Sequence, residues 1–180
     1  DEDSGYTRPD GAEVRTNGRY LYVCPGNLRG NLSKEIRAFL SDPLPLLNRV
    51  DVISYRAFSG SSRSKKVPRS LQKVPFWKGR DWDPSLYVAV FFDEAQELKN
   101  PESGKGEAAL TLWHPRKICL TASPLVHSPM EAYVLTAICQ NKPLLGDSQE
   151  AVANREERKR FKTRFCVNVG GRIVGVVQDP

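Results

Sequence analysis

The stretch that decides the fold is residues 87–94, which read Tyr-Val-Ala-Val-Phe-Phe-Asp-Glu. The run from Tyr87 to Phe92 is continuously apolar, and such a run is typical of a central strand in a parallel sheet that is covered on both faces. Asp93 and Glu94 follow at once, and open α/β sheets bind their ligands at the carboxyl ends of the strands. The stretch therefore predicts a buried strand that carries two carboxylates at a ligand-binding edge.

Strand and helix patterns alternate on both sides of this run. The predicted strands are Arg19–Cys24, Val50–Ser54, Lys117–Thr121 and Ile173–Val177, and the predicted helices are Asn31–Leu40, Ser103–Trp113, Ser128–Cys139 and Ser148–Phe165. The third helix begins with a capping box, Ser-Pro-Met-Glu, which has proline at the first helical position. This alternation predicts an α/β fold with a mostly parallel sheet.

Length and composition predict one such domain with two less regular segments. A chain of 180 residues suits a single core. We expect residues 1–18 to be a flexible, polar lead-in, and residues 59–83, rich in Ser, Gly, Pro and cations, to be a loop or insertion. A solvated loop is the simpler interpretation, and a loop that contacts nucleic acid through Lys65 and Lys66 is the alternative. Trp77 and Trp82 would anchor it or stack on bases.

Charge and cysteine content limit the setting. A net charge of +6 favours contact with a polyanion without identifying one. The four cysteines form no C-x-x-C pair, and His114 and His127 have no ligand spacing, so neither set predicts a metal site. Reduced thiols, with no apolar run long enough to cross a bilayer and no signal peptide, predict an intracellular protein, in the nucleus if eukaryotic or the cytoplasm if bacterial or viral.

The Asp93-Glu94 pair suits nucleoside triphosphate hydrolysis. One carboxylate can hold a magnesium ion while its neighbour reaches the water that attacks the γ-phosphate. Asp93 would serve the metal and Glu94 the water. The same dipeptide also begins many ordinary turns, so the pair alone leaves the function open.

The sequence around the pair resembles a known family. Val90–Ser103, with Asp-Glu-Ala-Gln at its centre, resembles motif II of the SWI/SNF-type DNA translocases of helicase superfamily 2. Leu120–Leu125 is similar to motif III, with Ser123 in place of threonine. Tyr22–Pro25 with Leu28, Asn31, Glu35 and Ile36 is similar to motif Ia, although the family often has tryptophan where Leu32 stands, and Val52–Tyr55 resembles a further strand end. The resemblance spans roughly residues 20–140.

This resemblance implies a fold, cofactors and site residues. The implied fold is a three-layer RecA-like sheet with helices on both faces, of which residues 19–180 would form an incomplete first lobe. The implied cofactors are ATP and Mg²⁺, and the implied partner is double-stranded DNA. The implied site residues are Asp93 and Glu94 for catalysis, with Asp93 on the metal, Gln96 on the nucleotide, Thr121 and Ser123 for motif III coupling, and Pro25 and Asn31 on nucleic acid. The basic loop adds Lys65 and Lys66 as candidate nucleic-acid contacts.

One family element has no counterpart in the sequence. The phosphate-binding loop G-x-G-K-T should precede the strand at Tyr20, and residues 1–19 contain nothing like it. Residues 103–106, Ser-Gly-Lys-Gly, follow the Asp-Glu pair and lack the required spacing. The second lobe, which should supply arginine fingers, has no counterpart either. We therefore expect the chain alone to hydrolyse ATP negligibly, as part of a motor whose other segments lie elsewhere.

Two alternatives stay open from the sequence. The chain could be a catalytically inactive helicase-like lobe that binds nucleic acid or protein, with Asp93 and Glu94 as relics. It could also belong to an RNA helicase of the DEAH class, which would bind single-stranded RNA.

Overall fold

The computed structural model describes residues 5–59, 86–123, 129–169 and 172–176. Its strands are β1 (Gly5–Thr7), β2 (Glu13–Arg15), β3 (Tyr20–Cys24), β4 (Val50–Ser54), β5 (Ala89–Asp93), β6 (Lys117–Leu120), β7 (Cys166–Val169) and β8 (Arg172–Val176). Its α-helices are α1 (Asn31–Phe39), α2 (Leu44–Leu47), α3 (Tyr55–Ser59), α4 (Gly104–Thr111), α5 (Pro129–Cys139) and α6 (Gln149–Phe165). Short 3₁₀ turns cover Gly26–Leu28 and Ala95–Leu98.

Four of these strands form the central sheet. Its order is β4-β3-β5-β6, and every neighbouring pair is parallel. Tyr22 of β3 lies opposite Val52 of β4 and Phe91 of β5, so the strands run in register. The predicted fold class is confirmed as an α/β parallel sheet flanked by helices. Because all four strands point the same way, their carboxyl ends meet at one edge.

The two faces of the sheet are buried to different extents. One face carries Leu21, Val23, Val90 and Phe92, which are completely buried. It packs against helices α3, α4 and α5, and Phe92 meets Phe58 of α3 edge-on with ring centroids 5.4 Å apart. The other face is only partly covered in the described residues, since Ile118 and Leu120 of β6 are 37% and 39% exposed. The core therefore lies on one side of the sheet.

Helix α4 joins this core through a close backbone contact. Ser103 caps the helix by accepting a hydrogen bond from the backbone N–H of Gly106, as the predicted start at Ser103 requires. A Cβ atom at Gly106 would lie 2.1 Å from the carbonyl oxygen of Asn100. Only glycine therefore allows the helix to approach the segment that follows the Asp-Glu pair.

The amino-terminal edge of the sheet is held by a polar cluster. Arg19 donates to both carboxylate oxygens of Asp51, through Nε at 2.8 Å and through its terminal nitrogen, and the Tyr87 hydroxyl donates to Asp51 at 2.9 Å. His114 is completely buried, with Nε2 2.9 Å from the carbonyl oxygen of Tyr87. The sequence left surface and packing positions open for this histidine, and the structure places it in the interior. These contacts join β3, β4 and β5 at the edge opposite Asp93.

Two short strands lie within the segment that was predicted to be a flexible lead-in. Strands β1 and β2 pair antiparallel, and Asp10 and Gly11, with φ +83° at the glycine, lie in the turn between them. The Tyr6 ring packs on those of Trp113 and His114, at 5.7 and 5.3 Å between centroids. Strands of three residues are too short to show a clear alternation of apolar and polar side chains in the sequence. The packing of Tyr6 on Trp113 and His114 stabilises the pairing of β1 with β2.

The last predicted strand also pairs differently. Strand β8 runs antiparallel to β7 in a separate two-stranded sheet and does not join the parallel sheet. Two β-rich runs separated by Gly170 and Gly171 are typical of a hairpin. This local pattern predicts antiparallel pairing better than the alternation of strands and helices earlier in the chain, which predicts a parallel strand. No helix in the described part of the chain is both long and apolar enough to cross a membrane.

Candidate active site at the carboxyl edge of the sheet

Asp93 is the last residue of β5, at the predicted carboxyl edge. Its carboxylate accepts a hydrogen bond from the backbone N–H of Glu94 at 3.0 Å, and its backbone carbonyl accepts one from the hydroxyl of Tyr55 at 2.7 Å. The Tyr22 side chain also hydrogen-bonds Asp93. Burial and then this bond raise the pKa of Tyr22 far above its usual value, so the phenol stays protonated and donates. Three groups therefore hold Asp93 in place.

Glu94 adopts a backbone conformation that is unusual for its residue type. Its φ and ψ are +50° and +49°, in the left-handed region that glycine adopts without cost. This turn ends the strand and starts the 3₁₀ segment Ala95–Leu98. Asp93 and Glu94 both stay partly accessible to solvent, although the strand before them is buried. Both carboxylates can therefore reach a ligand.

Gln96 connects Glu94 to the end of β6. Its amide nitrogen donates to the Glu94 carboxylate at 2.5 Å, and its amide oxygen accepts from the Thr121 hydroxyl at 2.6 Å. The Thr121 oxygen in turn accepts from the backbone N–H of Ser123 at 3.1 Å. Glu94, Gln96, Thr121 and Ser123 thus form one hydrogen-bonded chain. Gln96, predicted to contact a nucleotide, is here the link between two strand ends.

A second connection runs from the same turn to helix α5. Lys99 forms an ion pair with Glu131 at 3.2 Å, and the Glu131 side chain is only 10% exposed. Lys105 pairs with Glu97 and its ammonium lies 5.9 Å from the centre of the Tyr55 ring. The segment after Asp93 is therefore fixed on several sides.

The carboxylate oxygens at this edge fit a magnesium ion whose other ligands come from a bound phosphate group and water. No group of three or more His, Cys, Asp or Glu side chains converges among the residues that the structure describes. Magnesium is commonly bound through one or two carboxylates together with phosphate oxygens and water, and Asp93 is a hard oxygen donor of this kind. The residues therefore suit an ion that arrives with a phosphate group better than a resident metal.

The remaining predicted site residues lie near the carboxyl ends of the strands or outside the described residues. Pro25 precedes the 3₁₀ turn after β3, and Asn31 is the exposed first residue of α1, so both lie on the carboxyl side of β3. Ser123 has an exposed position beyond β6. Lys65, Lys66, Trp77, Trp82 and His127 lie outside the described residues. The structure thus brings together Asp93, Glu94, Gln96 and Thr121, with Ser123 joined to Thr121 through its backbone N–H.

Sequence reasoning gave no role to Tyr22 and Tyr55. Tyr22 of β3 lies opposite Phe91 of β5. Because side chains two residues apart in a strand share a face, Tyr22 lies on the same face of the sheet as Asp93. Tyr55 follows β4 directly and is almost fully buried. Their position could have been inferred once the strand order β4-β3-β5 was known, because both then neighbour Asp93.

Comparison with known proteins gives structural likenesses but no match by sequence family. No protein-family model and no curated protein matches the chain. Among solved structures it is similar to the SWI2/SNF2 ATPase core of Sulfolobus solfataricus in complex with double-stranded DNA, with a TM-score of 0.49 and 19% sequence identity. That likeness covers 82% of this chain and 28% of the other. The chain thus spans less than a third of the length of the archaeal protein.

Proposed function

We propose that this chain is part of the first ATPase lobe of a DNA helicase or translocase that uses ATP and Mg²⁺. The observation that carries the proposal is the Asp93-Glu94 pair at the carboxyl end of a buried parallel strand, joined through Gln96 to Thr121. This is the edge at which such sheets bind their ligands. The motif wording of the sequence supports the same assignment.

In this proposal each residue of the edge has a separate task. Asp93, held by Tyr22 and by the backbone of Glu94, would hold a magnesium ion, whose charge would offset that of the nucleotide phosphates. Glu94 accepts a proton from the attacking water. Gln96 fixes the orientation of the Glu94 carboxylate, and its bond to Thr121 transmits a change at the carboxylate to the segment that contains Ser123.

The chain requires further parts for turnover. Phosphoryl transfer depends on positioning and on charge neutralisation, and the described residues include no glycine-rich loop beside Asp93. A phosphate-binding segment and a second lobe, in the same polypeptide or in a partner, would complete the site. The isolated 180 residues are therefore expected to turn over ATP only negligibly.

The deciding experiment uses the natural polypeptide that contains these residues. Its ATP hydrolysis is measured with and without duplex DNA, and Glu94→Gln is expected to reduce it by about 100-fold or more. Glu97→Gln is the matched control, because Glu97 is a carboxylate three residues away that is exposed and paired with Lys105. Absence of hydrolysis in the parent polypeptide would favour the inactive binding module, and full activity in Glu94→Gln would show that Glu94 is not the catalytic base.

The nucleic-acid partner needs its own measurement. Duplex DNA and single-stranded RNA of equal length are titrated with the chain at several salt concentrations. Tighter binding to the duplex, with an affinity that falls as salt rises, is expected from a cationic surface on DNA. Preference for single-stranded RNA would support the DEAH alternative, and equal binding to both would reflect only the charge of +6.

A further inference from the structure

Two of the four cysteines contact each other across the end of the sheet. Cys119 lies in β6 and Cys139 is the last residue of α5. The Cys139 sulfur is within hydrogen-bonding reach of both the Cys119 thiol and the Cys119 backbone N–H. Helix α5 packs on β6, so the two cysteine side chains are neighbours at this end of the sheet. All four cysteines are present as free thiols.

This pair is also the accessible one. Cys24 and Cys166 are buried, and Cys24 points its thiol at the carbonyl oxygen of Ile53, 3.7 Å away. Cys119 and Cys139 are only half-buried. A small solute can therefore reach the two thiols that touch each other more easily than the two that do not.

The surroundings of Cys139 favour its thiolate. The hydrogen bond from the Cys119 thiol is the largest effect, and it lowers the pKa of Cys139 below its usual range, while the pKa of Cys119 is raised. Lys117 adds to this effect by its charge. Its side chain is buried, with Nζ donating to the carbonyl oxygens of Leu112 at 2.7 Å and Ala109 at 3.4 Å. Accessible thiolates beside a second thiol are the usual sites of reversible oxidation.

We propose that Cys119 and Cys139 form a redox-sensitive pair that closes to a disulfide on exposure to a hydroperoxide. The Cys139 thiolate attacks a peroxide oxygen, so an S–O bond forms, the O–O bond breaks and hydroxide leaves. The Cys119 thiol then attacks the resulting sulfenic sulfur, so the S–S bond forms and water leaves. Two thiols and one hydrogen peroxide give one disulfide and two waters.

The disulfide would restrain the segment that carries the candidate coupling residues. Residues 120–138 lie between the two cysteines, and they include Thr121, Ser123 and Glu131. A cross-link between Cys119 and Cys139 would hold the end of α5 against β6. The pair itself is independent of the proposed function, whereas an effect on ATP turnover would rest on it.

The test treats the reduced, folded chain with hydrogen peroxide and maps the product by mass spectrometry. A glutamate-specific protease is used because it cleaves at Glu131, between the two cysteines, so a link joins two separate peptides. A Cys119–Cys139 link in the monomer is expected. The Cys24→Ala/Cys166→Ala double variant should form it equally well, and this control keeps the proposed pair intact.

Two further measurements sharpen the outcome. In Cys119→Ser the second step is removed, so Cys139 should accumulate as sulfenic acid that a cyclic dione traps. Amide hydrogen exchange of residues 130–138 of α5 in the oxidised parent chain should slow by about fivefold relative to the reduced chain. The proposal is overturned if both cysteines remain open to alkylation after peroxide treatment, or if links to Cys24 or Cys166 or between chains dominate.

Discussion

The hydroxyl of Thr121 donates a hydrogen bond to the side-chain oxygen of Gln96 at 2.6 Å, although the two residues follow different strands. Gln96→Leu removes this bond and the bond to Glu94 together. We expect a loss of about 1–2 kcal/mol in the free energy of unfolding, because each partly buried hydrogen bond contributes about 1 kcal/mol. Urea denaturation of the parent and the variant measures the difference.

A double-mutant cycle separates this link from a general packing effect. Thr121→Val breaks the same bond from the other side, so Gln96→Leu and Thr121→Val together should cost less than the sum of the single changes. Ser123→Ala is the control, since Ser123 enters the chain through its backbone N–H. Strict additivity of the first pair would contradict the link.

The ion pair of Lys99 with Glu131 should contribute to stability far more than an exposed pair does. Lys99→Met removes a cation from a carboxylate that is only 10% exposed, and we expect a loss of about 1–3 kcal/mol. Lys105→Met breaks the pair with Glu97, whose two side chains are about 40% exposed, and should cost less than about 1 kcal/mol. Thermal unfolding of both variants under one buffer compares them. Equal losses would mean that the burial of Glu131 adds nothing.

Gly106→Ala tests the close approach of α4 to Asn100. The added Cβ would meet the Asn100 carbonyl oxygen at 2.1 Å, so backbone must move, and we expect a loss of about 1–3 kcal/mol. Gly104→Ala, in the same helix, meets no atom within 4 Å and should leave stability unchanged or slightly higher. Chemical denaturation gives both values. A Gly106→Ala chain as stable as the parent would show that α4 shifts without cost.

The Asp51 cluster predicts a dependence of stability on acid pH. The hydrogen bond from Arg19 is the largest effect and lowers the pKa of Asp51 in the folded chain, whereas the unfolded chain has the ordinary value of about 3.9. The contribution is therefore present above about pH 4 and is lost as pH falls through the lowered folded value. Asp51→Asn should thus be less stable than the parent at pH 7, with a difference that narrows below pH 4. A difference independent of pH would contradict this assignment.

The sequence predicts the parallel sheet well because its strands are short apolar runs that end at polar or turn residues. Tyr20–Cys24, Val50–Ser54, Ala89–Asp93 and Lys117–Leu120 were all found within two residues of their predicted ends. The position of Asp93 follows from the same pattern. Helix α1 shows the limit, since its apolar residues recur at helical spacing yet Phe39 is 83% exposed.

The contacts of the site depend on strand order, which the sequence does not specify. Tyr22, Tyr55 and Gln96 become partners of the acidic pair only because β3 lies between β4 and β5, and β6 lies beside β5. The hydrogen bonds that follow connect residues far apart in the sequence, such as Tyr55 and Asp93, which are 38 positions apart. A local pattern carries no information on such pairs, whereas it does predict which residues end each strand.

The left-handed backbone at Glu94 bears on whether the carboxylate pair is a relic. An L-residue with a side chain pays about 1 kcal/mol for this conformation, and glycine pays almost nothing. A lobe selected only for durability would therefore gain from glycine at this position. The glutamate in this conformation therefore has a cost in stability that glycine would remove, and this favours a working side chain at position 94 over a relic.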